Sequence, residues 1–95
     1  MKKEYYGVYG KNAAGIFDSW DKVQQVQSSF IGFKNKKFDS IDKAIIFTAN
    51  GMENSYGVIK QKDFDYNLLL TNVNIVINIE DLIKPETIPW SIKIS

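Results

Sequence analysis

The sequence predicts an α+β domain, a small three-stranded antiparallel sheet with two helices, followed by a β-rich C-terminal extension. Three observations carry that reading. Aromatic and β-branched runs flank a turn-rich segment near the N-terminus. Behind Ser19 and again behind Ser40, apolar residues recur at three- and four-residue spacing, as one face of a helix requires. After Gly51 the period shortens to two.

In order, Tyr5 to Tyr9 is predicted as the first strand, ending in the connection Gly10-Lys11-Asn12-Ala13-Ala14-Gly15. Ile16 to Asp18 pairs back as the second strand of a hairpin. Ser19 supplies an N-cap for a short helix from Trp20 to about Gln27, in which Val23 and Val26, with Phe30 beyond, form the apolar side. The chain then loops through Gly32 into a third strand, Lys36 to Phe38. Ser40 caps a second helix, with Asp42 in its first turn, Ile41, Ala44, Ile45 and Thr48 on one side, and Gly51 as its stop. Strand character is then expected at Tyr56–Lys60, Tyr66–Thr71, Val73–Ile79 and Trp90–Ile94, with a short helical turn over Glu80 to Lys84. Residues 1–51 thus read as one module, and residues 52–95 as an extension packed on it or on a partner.

Composition removes most catalytic chemistry. With 95 residues the chain has room for one core, and its 44% hydrophobic and 24% charged content is that of a globular domain. Absence of cysteine and histidine excludes disulfides, thiol nucleophiles, imidazole bases and ordinary zinc sites. Asp63 and Asp65 are two apart, but surface charge explains them better than a metal site. No cofactor is implied, and the chain is read as non-enzymatic. It contains no run of about eighteen apolar residues and no signal-peptide core, so the expectation is an intracellular protein, cytoplasmic rather than nuclear, without membrane contact.

The net charge of +1 hides an asymmetry. Residues 1–51 hold eight lysines against five acids, net +3, whereas residues 52–95 hold four against six, net −2. The front half is therefore the polyanion face. Every basic residue is lysine, so no guanidinium fork can read guanine, and binding should address backbone charge and groove shape. Lys34, Lys36 and Lys37 crowd three charges into four positions, as either a phosphate site or a solvated turn. Trp20 reads as an amphipathic cap over the core ahead of the wall of such a site. Because strand side chains alternate, Tyr6 should face away from Tyr5 and Tyr9. In the extension, Ile75, Ile77 and Ile79 read as core or as a subunit interface.

Taken together, Tyr5-Tyr6-Gly7-Val8, Gly15-Ile16-Phe17, Ser19-Trp20, Gln25-Val26, Phe30, Gly32, Lys36-Lys37-Phe38, Ser40 and Ala44 resemble the hybrid-binding domain at the N-terminus of eukaryotic-type ribonuclease H. The same module occurs in caulimovirus viroplasmin, and the resemblance covers residues 5 to 48. It implies the fold read above and a grip on RNA/DNA hybrids, and more weakly on double-stranded RNA, across the minor groove. Carried over by position, Tyr6 and Trp20 are the implied aromatic contacts, and Lys36 and Lys37, with Lys34 and Asn35 beside them, the implied phosphate strand. Asn35 stands where the family has an aromatic residue, and Phe33 is the neighbouring ring able to substitute for it. The ribonuclease catalytic domain is missing from these 95 residues.

Two functions follow as expectations. One is a module recognising the shape and backbone of double-stranded or structured RNA or an RNA/DNA hybrid, as part of a ribonucleoprotein such as the ribosome. The other is a viroplasmin-like protein-interaction domain that retains the fold without nucleic acid. In either case residues 52–95 are expected to serve a protein partner or self-association.

Overall fold

The computed structural model describes residues 3–57 and 59–83. Its sheet has strand order β3-β1-β2-β4 and is antiparallel throughout, with β1 at Tyr5–Tyr9, β2 at Ala13–Phe17, β3 at Lys34–Phe38 and β4 at Ile77–Asn78. Helix α1 (Trp20–Val26) covers one side and α2 (Ile41–Gly51) the other, and the short helices α3 (Tyr66–Thr71) and α4 (Ile79–Leu82) follow. The architecture is the expected α+β, but among the described residues the sheet has four strands, not three.

Alternation along the strands builds two cores. On the α2 side, Tyr9, Ala14 and Ile16 of the sheet meet Ala44, Ile45, Ala49 and Met52. That same cluster takes in Ile59, Phe64, Leu69, Ile77 and Leu82, so the chain beyond Gly51 completes the core under α2. On the α1 side, Val8, Ala13 and Phe17 pack against Val23 and Phe30, with Tyr6, Val26 and Phe33 half-buried at the rim. Each large apolar side chain buried in this way contributes about 1.5–3 kcal/mol. Tyr5 and Tyr9 face α2 and Tyr6 faces α1, the expected opposition.

The hairpin differs from its expected form. β2 begins at Ala13, so the connection shrinks to Gly10–Asn12 and is closed by the Gly10 N–H donating to the Ala13 carbonyl at 2.9 Å. Two alanines with weak strand propensity are drawn into the ladder because each has a side to bury, Ala13 toward α1 and Ala14 toward α2. Likewise β3 starts at Lys34, two residues early. Ser40 caps α2 as expected, its Oγ accepting from the Lys43 N–H at 3.3 Å. Ser19 holds the extended N-cap backbone of α1, but its side chain makes no capping bond.

Gly51 does not stop α2. Its backbone is helical, and the chain continues through a π-helical turn, Met52–Tyr56, to Gly57, whose φ of 62° is the left-handed stop. What Gly51 provides is space, since a Cβ there would lie 2.2 Å from the Tyr9 ring. Of the expected strand at Tyr56–Lys60, Tyr56 and Gly57 form the end of this turn, and Val58 lies outside the described residues.

The β-rich extension is also corrected. Tyr66–Thr71 is helical because Asp65 caps it, its Oδ1 accepting from the Leu68 N–H at 3.1 Å, and three consecutive leucines favour helix. Of Val73–Ile79 only Ile77–Asn78 pairs, opposite Ala14 and Ala13. Asn74, at φ 71°, breaks the ladder ahead of it. The alternation there is real in another sense, because Val76 packs on the α1-side core and Ile77 on the α2-side core. Ile79 packs against the core as well, whereas Ile75 is 51% exposed. Asp63 lies in a 3-10 turn, so the two acids do not share a strand face. The expected turn over Glu80 to Lys84 falls on α4; Trp90–Ile94 lies outside the described residues.

Candidate nucleic-acid interface

Among the described residues β3 is an edge strand, and it carries Lys34, Asn35, Lys36 and Lys37, all exposed. Lysines are common on such edges because charge discourages pairing with another chain. Its register against β1 sets Lys37 opposite Tyr6, Asn35 opposite Val8, Lys36 opposite Gly7 and Lys34 opposite Tyr9. Opposed residues of an antiparallel pair share a face and successive residues alternate. Tyr6, Asn35 and Lys37 therefore lie on the α1 side of the sheet, and Lys34 and Lys36 on the α2 side. The ring of Phe38, packed against the α2-side core, has the Lys36 Nζ 5.7 Å from its centroid.

Trp20 opens α1 directly beneath β1, and its ring meets Tyr6 with centroids 5.6 Å apart and planes tilted by 45°. It remains 40% exposed. Tyr6 is half-buried between that ring and the α1-side core. Of the six sequence-selected residues, four (Tyr6, Trp20, Asn35 and Lys37) thus gather on one face. Lys34 and Lys36 occupy the other side of the same edge. Phe33 shares the α1 side and packs against Phe30 at 5.7 Å between centroids, so it is committed partly to the core.

Charges around the face are balanced locally. The Lys37 Nζ lies 3.2 Å from Glu4, both exposed, an ion pair of little energetic weight that a polyanion can displace. Lys34 and Lys36 form no ion pair among the described residues. At the start of α1, burial acts to raise the Asp18 carboxyl, but hydrogen bonds with Lys22 and Asn74, the Lys22 charge and its own backbone outweigh it and hold the group below the ordinary carboxylate range. The Lys22 contact is 3.2 Å, and Asn74 in turn accepts from the Asp18 N–H at 3.1 Å. This network anchors the corner from which Trp20 emerges.

Sequence reasoning missed Glu4 and Asn74, because neither lies near its partner in the chain and neither carries a motif. The arrangement offers rings, ammonium groups and one amide on an exposed face. No metal-ligating cluster exists among the described residues. No helix among them is long and apolar enough to cross a membrane.

No curated protein and no solved structure matches the chain. A family model does match, over residues 4–48, which run from the Glu4 partner of Lys37 through β1, β2, α1, β3 and most of α2. Its description is the ribonuclease H1 N-terminal domain, the non-catalytic part of that enzyme, and residues 4–48 are thus similar to the ribonuclease H1 N-terminal, viroplasmin-like domain.

Proposed function

We propose that the chain is a non-catalytic module that binds the backbone of an A-like duplex, double-stranded or structured RNA or an RNA/DNA hybrid. The family match over residues 4–48 supports a nucleic-acid-binding module in general. The narrower reading rests on one observation, the Tyr6–Trp20 ring pair beside Lys37 on one side of an edge strand whose other side carries Lys34 and Lys36. Ammonium groups on both sides of this strand suit two phosphate chains flanking a groove, and the rings suit the sugar surface between them. With lysine alone, affinity comes from counterion release and shape, with little sequence preference. A place on a ribonucleoprotein such as the ribosome fits such a reader.

The test is a titration against matched double-stranded RNA, RNA/DNA hybrid and double-stranded DNA. Binding to the first two in preference to the third is expected. Equal affinity for all three would remove the A-form reading.

A second reading, protein docking, has its own observation. α2 and α3 border a groove of about 590 Å³ lined by Asp42, Ile45, Ile46, Tyr66, Asn67 and Leu70. Ile46, Tyr66 and Leu70 are exposed there. Salt separates the readings, since phosphate contacts weaken as it rises whereas an apolar interface responds little.

A further inference from the structure

The loop that delivers β3 is held from two directions. From the β1–β2 turn, Asn12 donates through Nδ2 to the Ser29 carbonyl at 2.9 Å and accepts through Oδ1 from the Ile31 N–H at 2.8 Å. The neighbouring Lys11 N–H donates to the Ile31 carbonyl at 2.7 Å. From the far end of α2, the Tyr56 hydroxyl donates to the Gly32 carbonyl. Tyr56 lies outside residues 4–48, in the π-helical turn Met52–Tyr56.

The fit at Gly32 is close. A Cβ there would lie 2.6 Å from the Tyr56 oxygen, and φ is 70°, so glycine is required on both counts. Tyr56 is itself located by the Tyr9 ring, edge-on with centroids 5.9 Å apart, and by Gly57, whose N–H closes the turn onto the Glu53 carbonyl at 2.9 Å. Next to it, Ser55 Oγ hydrogen-bonds the Tyr9 hydroxyl at 3.3 Å. A helical turn of the π type advances its residues by an angle different from an α turn, which is how such turns aim side chains.

We propose that Tyr56 is a positioning residue for the binding strand, fixing the entry of β3 so that Asn35 and Lys37 stand in register beside Tyr6 and Trp20. The inference rests on the proposed duplex-binding function. Among the described residues β3 is paired on one side only, and its backbone ladder to β1 does not determine the path of the Ile31–Phe33 turn that feeds it. Asn12 sets the outer part of that turn and Tyr56 its last residues. Because the Tyr56–Gly32 bond is exposed, water replaces it when the hydroxyl is removed, and global stability changes little. Loop order is what the bond controls. Residues after Gly51 would thereby act on the interface without touching the ligand.

The experiment is Tyr56→Phe, which keeps the ring against Tyr9 and removes only the hydroxyl. Amide exchange over residues 33–38, duplex affinity and melting temperature are measured together. We expect faster exchange in that segment, an unchanged melting temperature, and duplex binding weakened about three- to tenfold, the factor that one hydrogen bond carries. In a double-mutant cycle, Tyr56→Phe and Lys37→Ala should be non-additive, because both act through β3. Unchanged exchange, or strictly additive losses, would overturn the positioning role. Wild-type protein that binds no duplex while Tyr56→Phe still speeds exchange would uphold the clamp and overturn the binding reading.

Discussion

Tyr6 and Trp20 face each other with ring centroids 5.6 Å apart, one from the first strand and the other from the first position of α1. Lys37 lies directly across the ladder from Tyr6. The ring pair is thus set by a strand register and a helix start, not by a loop, and it reaches the surface with its geometry fixed before any ligand arrives. Preorganisation of this kind reduces the ordering cost of binding.

Trp20→Ala is expected to weaken duplex binding severalfold by removing the ring from the sugar surface, and equally for all sequences. Because Trp20 is 40% exposed, its loss should affect folding stability much less than removal of buried Phe17. Affinity and urea unfolding of the two variants would show this. A Trp20→Ala protein with wild-type affinity would remove the ring from the site.

Asn35→Phe places a third ring on the side of Tyr6 and Lys37. It is expected to raise preference for RNA/DNA hybrid over double-stranded RNA by adding a ring against the sugar surface. Competition between the two duplexes measures the ratio directly. An unchanged ratio would mean that position 35 does not meet the ligand.

Gly51→Ala and Gly57→Ala separate space from conformation. At Gly51 the new Cβ would collide with the Tyr9 ring, an overpacking that costs about 1–3 kcal/mol or more. At Gly57 it would meet nothing closer than the Glu53 carbonyl at 3.9 Å, leaving the left-handed backbone as the whole penalty, about 1–2 kcal/mol. Urea midpoints should therefore fall further for Gly51→Ala. The reverse order would contradict the packing of α2 on Tyr9.

Asp18 gives a pH dependence. Its pKa in the fold is depressed, so the stability it contributes is fully present above the ordinary carboxylate pKa and is lost as pH falls through the lower, folded value. Asp18→Asn should accordingly be less stable than wild type at neutral pH, with the gap closing in acid. A gap independent of pH would show that the Lys22 and Asn74 contacts act through packing alone.

How much of this was legible in the sequence follows from chemistry. Ser40, Val23, Ala44 and Phe30 declared their elements because capping and helical periodicity are local signals. The family pattern was legible for the same reason, since its glycine, tryptophan and lysine positions sit at short, fixed spacings. Gly51 misled because a glycine after an apolar helix has two uses, a left-handed stop or room for a distant ring, and Tyr9 is 42 residues away. Tyr66–Thr71 reads as a strand because aromatic and branched residues dominate it, while the Asp65 cap that decides for helix looks in sequence like surface charge. The division of Lys36 from Lys37 was implicit in strand alternation. That Lys37, and not Lys36, joins Tyr6 required the register.

The central claim is that ammonium groups on both sides of β3 hold phosphate. The most direct measurement is the salt dependence of duplex binding by wild-type protein and by the Lys36→Ala, Lys37→Ala double variant. The account predicts weaker binding for every sequence tested and a log–log salt slope lower by roughly two in the variant, one unit for each lost phosphate contact. An unchanged affinity and slope would contradict it and place any nucleic-acid contact elsewhere on the chain.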